Sequence, residues 1–483
     1  MRPTHRPLTV AALVLTMFMA AVEATVVGTA MPTVVAELGG LTLYGWVGSA
    51  YLLASTVTVP LYGKLADLFG RKPLLVGAVL LFLAGSAACG LAPSIELLVV
   101  ARAIQGVGAG GMQPIALTIV GDLFTIEQRG RLQGLFGAVW AIAGITGPLL
   151  GGLLVRAASW RWVFLVNLPF GAAALVALVA AYHERGAPRA RPAIDWAGAT
   201  TLTLAGVLLL VGAGGTWLAL PFGLVAVAAF VLVERRAREP VLSLALLARR
   251  PIAVSFVAST LLGASMMGVL IYVPLYGQGV LGRTPTGAGT LVAPMLVGWP
   301  IASTLAGRRL ARTGFRAPIW LGSGIVAVTL VALAWALAPH TPPLLLQGIL
   351  FAYGLGMGFA NTALIVAVQS SVGWSERGVA TATSMLSRSM GGAFGVGALG
   401  GVLAHLLGTS LSPERVSLLL DPTRRAQALA EPGLASSLAA GLAPLFWATA
   451  ALGVANAVVV GFWPARIDNP DAERVVVTPG ADA

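Results

Sequence analysis

Fourteen stretches of about 18 or more mostly apolar residues follow one another along the chain, each bounded by charge, proline or glycine. A helix that crosses a bilayer needs about 20 such residues. The approximate runs are 8–31, 44–63, 74–92, 95–121, 132–154, 162–182, 196–214, 217–234, 252–275, 286–305, 319–338, 343–366, 379–407 and 438–463. Only Gly214-Gly215-Thr216 separates the seventh run from the eighth, yet 196–234 is too long for one span at about 1.5 Å per residue. The pattern predicts an all-α membrane protein with fourteen transmembrane helices. Of 483 residues only 10% are charged, against about 25% in chains that face water. That excludes a soluble enzyme, a nucleic-acid-binding domain and a disordered chain. The first run is too long for a signal-peptide core and holds Glu23, so it is expected to be a retained span.

The net charge of +12 distributes by loop rather than as a nucleic-acid footprint. With the N-terminus inside, 22 Lys and Arg fall in inner segments and 6 in outer ones, leaving Arg102 and Arg388 within spans. Positive residues favour the cytoplasmic side, so both termini are expected in the cytoplasm, and the lipid bilayer is the main partner. The single Cys89 permits no intramolecular disulfide. No zinc-like cluster of Cys and His is visible, and no metal is expected.

The chain partly repeats itself. Gly106, Gly108 and Gly110 recur 248 residues later as Gly354, Gly356 and Gly358. At the same offset Arg129-Gly130 recurs as Arg377-Gly378, and Gly144 and Gly147 as Gly392 and Gly395. The loop Gly63–Lys72 recurs at an offset of 244 as Gly307–Arg316, with Ala311 in the place of Asp67. Three units follow: an N-terminal six-helix bundle over 1–183, a two-helix insert with flanking linkers over 184–250, and a C-terminal six-helix bundle with a short tail over 251–483. Repeated halves with a site between them are an alternating-access architecture.

Glu23 is the only carboxylate deep within a span, and an ionisable group there is a functional candidate by default. The competing reading is permanent pairing with an arginine. Arg102 lies at matching depth in the fourth run, on one helical face with Gln105 and Gln113. That face suits either the central cavity or hydrogen bonding between helices. Gly63–Lys72 is a short basic loop carrying Asp67, which can face the positive N-terminus of a helix from the other half. Gly63, Asp67, Gly70 and Arg71 thus form a candidate cytoplasmic latch. Arg388 is expected to join it by pairing with Asp67 or Asp122, with charge balance in the cavity as the alternative. Weaker cavity candidates are Trp140, Tyr272, Tyr276, Gln278, Trp299 and Asn361. In the outer segment 408–437, Leu418–Leu420 and Leu429 suit a short interfacial helix. No Gly-x4-Gly-Lys-Ser/Thr nucleotide loop is present, which disfavours a primary pump.

The Gly63–Lys72 loop resembles the second-to-third-span signature of the major facilitator superfamily. Leu98–Gly110 is similar to its fourth-span signature, and Gly144, Gly147, Pro148, Gly151 and Gly152 to the fifth-span antiporter signature of exporters. The stretch from Glu23 to Pro32, Ser159–Gly171 and Asp195-Trp196-Ala197-Gly198 resemble the fourteen-span drug:proton antiporters. Glu23 and Gly28 depart from that family's usual Asp and Asn. The resemblance implies a proton-coupled secondary exporter of small amphipathic, often cationic drugs, not an enzyme. It further implies the proton as coupling ion and no cofactor, a monomeric transport unit, and a place in the bacterial cytoplasmic (inner) membrane. Export of an endogenous lipid or metabolite by the same mechanism is the alternative. A non-transporting membrane sensor on the same scaffold is the third reading.

Overall fold

The computed structural model describes residues 4–39, 43–184, 195–213, 218–237, 240–337, 341–410 and 434–464. Most of segment 408–437 with its expected interfacial helix, the Gly214-Gly215-Thr216 break, and the side chains of Gly28, Pro148 and His405 lie outside the described residues. Among the described residues there is no strand, as expected where backbone polar groups have no water to satisfy them.

The helices are α1 (Arg6–Leu38), α2 (Tyr44–Phe69), α3 (Arg71–Gly90), α4 (Ile95–Leu123), α5 (Ile126–Ala157), α6 (Trp162–Leu165), α7 (Asn167–Ala181), α8 (Trp196–Ala213) and α9 (Ala219–Glu234). They continue as α10 (Leu244–Ala248), α11 (Arg250–Gly279), α12 (Pro285–Thr313), α13 (Arg316–Ala336), α14 (Pro343–Ser370), α15 (Arg377–Ser410) and α16 (Leu434–Gly461). Each apolar run contains helix, and α6 with α7 makes one segment. Among the described residues, nine helical segments are long and apolar enough to cross a membrane, or ten if the two arms of α5 count as one. The insert helices α8 and α9 are shorter, and α2 and α15 carry Lys64 with Asp67, and Arg377 with Arg388.

The internal repeat is visible in the packing. A methyl on Gly106 would lie 2.4 Å from Tyr51 O on α2, and one on Gly354 would lie 2.2 Å from Met295 O on α12. Met295 follows Tyr51 by 244 residues. Gly108 meets Phe82 N on α3 as Gly356 meets Val326 N on α13, again 244 residues on. Small residues let backbones approach where lipid offers no hydrophobic drive to association, so the same glycines set the same helix spacing in both halves.

The halves meet at the end where Lys64, Arg71 and Arg377 cluster, called here the basic end. A methyl on Gly130, early in α5, would sit 1.9 Å from Gly307 Cα on α12. A methyl on Gly63 of α2 would sit 2.8 Å from Gly378 O on α15. Gly307 follows Gly63 by 244 and Gly378 follows Gly130 by 248, so these two seams are images of each other. The insert lies against both halves: α8 packs on α2 and on α15, with Gly206 fitted against Val57.

Candidate functional site

Glu23 of α1 is fully buried, and Arg102 of α4 is 2% exposed. Arg102 Nη1 donates to Glu23 Oε1, and also to Gln105 Oε1 at 2.7 Å. Arg102 Nε donates to Val47 O at 3.0 Å, and its guanidinium lies 4.2 Å over the Tyr51 ring. Asn167, at the start of α7, donates through Nδ2 to Glu23 Oε2 (2.6 Å) and to Ser86 Oγ (3.0 Å). Gln105 Nε2 donates to the same Ser86 oxygen at 3.1 Å, and Ser86 donates to Phe164 O at 2.8 Å. Both oxygens of Glu23 therefore accept from N–H donors, the environment of an ionised carboxylate. A buried ion pair persists only when further hydrogen bonds offset its desolvation; Gln105, Asn167, Ser86 and Val47 supply them.

Two expectations need adjustment here. Glu23 has no exposed surface, so it opens onto no cavity in this conformation; it is enclosed by α1, α3, α4 and α7. Gln105 is buried in the same cluster rather than lining a cavity, because its face of α4 turns toward α3. Ser86 is a residue that the sequence does not mark as part of the site, and Asn167 is marked only as a member of the Ser159–Gly171 stretch. A serine in the apolar run of α3 and an asparagine at the break between α6 and α7 are the signals that could have marked them.

The repeat makes this cluster one-sided. Position 353 stands 248 residues after Gln105, and it is Tyr353. Its hydroxyl meets Ser265 Oγ at 3.0 Å. The position equivalent to Arg102 is Leu350. The second half thus holds a neutral hydrogen bond where the first holds an ion pair.

At the basic end, Asp67 reaches across the seam. Its Oδ1 accepts from Gly378 N at 3.0 Å and its Oδ2 from Val379 N at 2.8 Å. These are unpaired donors in the first turn of α15, and the helix N-terminus favours a negative charge. Arg71, fully buried, donates to Asp67 Oδ1 (2.7 Å) and Trp374 O (2.6 Å) and stacks 3.8 Å over the Trp374 ring. Arg71 and Arg377 both pair with Asp122, at 3.1 and 2.7 Å. Gly70 adopts φ +97°, where a side chain is strained; this turn lets Glu184 accept from the N–H groups of Arg71 (2.7 Å) and Lys72 (3.2 Å).

Arg388 is not part of this cluster. It donates to Asn361 Oδ1 at 2.9 Å, and Arg377 takes the place beside Asp122. Arg388 stands eleven residues further along α15, about 16 Å deeper at 1.5 Å per residue, too far to reach the acids at the end. The other candidates separate. Tyr272 and Tyr276 are buried in the core of the second half, with Tyr276 edge-on to Phe446. Asn361 is buried, Gln113, Gln278 and Trp299 are half-buried, and Trp140 is exposed. Gly147 packs against Thr25 of α1, whose hydroxyl donates to Ala143 O at 3.0 Å. Gly144 meets Leu296 across the seam, while Gly152 has open space where a methyl would go.

At the opposite end, Glu37 accepts from Trp160 Nε1 at 2.8 Å and pairs with Arg161. The hydrogen bond from Arg161, followed by that from Trp160, holds the Glu37 carboxyl below its ordinary range.

Residues 13–396 match the family described as the Major Facilitator Superfamily. Multidrug transporter protein MdtP of Bacillus subtilis is 34% identical over 437 residues, covering 86% of this chain and 79% of that one. Multidrug resistance protein 3 of the same organism is 34% identical over 411 residues, covering 83% and 80%. In fold, the chain is similar to the human organic anion transporter MFSD10, with a TM-score of 0.66 at 15% identity, over 95% of this chain and 100% of that one.

Proposed function

The chain belongs to the major facilitator superfamily, and from that premise we propose that it is a proton-coupled exporter of amphipathic, often cationic compounds, working by alternating access. It crosses the bacterial cytoplasmic membrane fourteen times, with the basic end and both termini in the cytoplasm. Similarity to two multidrug transporters supports the substrate class. The observation that carries the coupling is the one-sided cluster: a sealed carboxylate, held by Arg102 and Asn167, in a half whose repeat partner is neutral.

The mechanism follows from that geometry. With the basic end closed, Glu23 is ionised and shielded. When the halves rock, any displacement of α4 or α7 against α1 withdraws donors from Glu23. A buried carboxylate that loses its donors takes up a proton instead. Proton uptake and release are thereby tied to conformation, and the gradient drives exchange. Asp67 holds the closed arrangement through the first turn of α15. Its pseudo-symmetric counterpart Ala311 cannot, so the charged latch lies on one seam only.

The test is transport by the full chain in proteoliposomes under an imposed pH gradient. Glu23→Gln is expected to abolish gradient-driven efflux while neutral substrates still bind. Glu23→Asp is expected to keep part of the activity. Full proton-driven efflux by the Gln variant would falsify the assignment. For topology, single cysteines are placed by Leu281→Cys and Thr313→Cys in a Cys89→Ala background. The first is expected to react with an impermeant thiol reagent from outside the cell, the second only from the cytoplasm. The reverse pattern would defeat the orientation.

A further inference from the structure

Arg388 and Asn361 have no part in the clusters above. Every residue of α15 from Arg377 to Ser387 is buried, and Arg388 is the first with appreciable exposure. On α14 the chain is buried without a break from Ala360 to Ser370. A helix enclosed on all sides has no lipid face at that depth. The half-buried Arg388 side chain, which reaches from α15 to Asn361 Oδ1 at 2.9 Å, therefore borders a space within the protein. On α4, which packs against both α14 and α15, Gln113 is the one residue between Gly108 and Gly121 that is not buried. Gln113 stands 248 residues before Asn361, and the exposed Trp140 stands 248 before Arg388. Repeat-equivalent positions of the two halves thus meet open space just where the sealed basic end gives way. In transporters built from repeats, substrate sites lie between the halves near mid-membrane.

A cation within a span is costly and is ordinarily paired. Among the described residues Arg388 forms no ion pair, and its hydrogen bond goes to a neutral amide. Glu23, the only acid deep within a span, is taken by Arg102. Arginine has donors only, so the amide oxygen of Asn361 faces it and Nδ2 is left as a further donor, with no hydrogen bond among the described residues. The pair therefore presents N–H groups and an uncompensated positive charge to the internal space, and a guanidinium fork matches the two oxygens of a carboxylate. We propose that Arg388 and Asn361, with Gln113 from the first half, form an anion-binding subsite that takes the carboxylate of an amphiphilic substrate, whether or not the substrate also carries a cationic group. The proposal rests on the exporter reading and names a substrate class for it. A carboxylate seated there supplies the counter-charge that the chain does not. Trp140 stands at the image of Arg388, so the first half has no second cation at the equivalent position, and the acid group binds on one side only.

The test is equilibrium binding to the full-length protein in nanodiscs of uncharged phospholipid at neutral pH, with empty nanodiscs as the blank. The probes are naphthoate and naphthamide, which share a shape and differ in charge. The wild type is expected to bind naphthoate roughly tenfold more tightly than the amide, the difference made by hydrogen bonds between charged groups. Arg388→Gln is expected to abolish that preference, and Arg388→Lys to keep part of it, since a point charge attracts the acid without the fork. A wild type that does not favour naphthoate overturns the proposal, a readout that needs no variant to fold. So does a preference that Arg388→Gln leaves intact. Neither readout involves a pH gradient, so the exporter reading stands or falls separately, on gradient-driven efflux.

Discussion

Replacing Arg102 with alanine is expected to destabilise the first half by about 3–5 kcal/mol, the usual cost of removing one partner of a buried ion pair. Glu23 would keep Asn167 as a donor but lose the cation beside it, with no exposed surface of its own. The side chain also packs over the Tyr51 ring and ties α4 to α2 through Val47 O, so three helices loosen together. The double variant Arg102→Met, Glu23→Gln removes both charges and keeps most of the volume. It is expected to recover most of the lost stability, with a coupling energy of about 2 kcal/mol or more. Thermal unfolding of the purified protein in detergent measures both. Additive effects of the two changes would mean that Glu23 and Arg102 do not act as a pair.

The second large effect is expected at Gly130. A methyl there would meet Gly307 Cα at 1.9 Å, and backbone cannot rotate out of the way as a flexible side chain does. Gly130→Val is expected to disfavour the closed basic end by about 3 kcal/mol, at the upper range for overpacking. That shifts the equilibrium roughly a hundredfold toward the open end. Spin labels at Arg131→Cys and Arg308→Cys, both exposed positions beside the contact, are expected to lose their short-distance population. Asp67→Asn removes charge from the other seam and turns an amide N–H toward one of the donors there, but adds no backbone overlap, so its expected shift is smaller. An unchanged short-distance population in Gly130→Val would show that the α5–α12 contact does not control closure.

Much of this arrangement is legible in one dimension because lipid forces it to be. The apolar runs mark the helices, since a chain in hydrocarbon has few other ways to satisfy its backbone. The recurring glycines mark positions where helices touch, and Gly106 with Gly354 bear this out in three dimensions. Glu23 and Arg102 lie at similar distances from the outer ends of their runs, and in the fold they pair. What helical periodicity does not encode is which helices are neighbours. Ser86 and Asn167 complete the Glu23 shell from α3 and α7, and nothing in their spacing links them to α1. Arg388 pairs with Asn361 and not with Asp67 or Asp122, because eleven residues of α15 separate it from Arg377 at the basic end. Glu234 ends an apolar run, where an acid ordinarily faces water; only the fold of the linker over it makes it buried.

The position of α8 has a mechanical consequence. It touches both α2 and α15, so it works as a strap on one side of the joint between the halves. On the other side of the joint the element that touches both α5 and α12 is α14, which belongs to the second half and not to the insert. A joint tied along one side swings about that side, as a door swings on its hinged edge. Separation of the halves at the basic end is then smallest beside α8 and widest between α5 and α12. Gly206 meets Val57 through small apolar groups where α8 lies on α2. On the proposed rocking motion the axis lies toward the insert rather than at the centre of the protein, so the opening is a wedge rather than a symmetrical funnel.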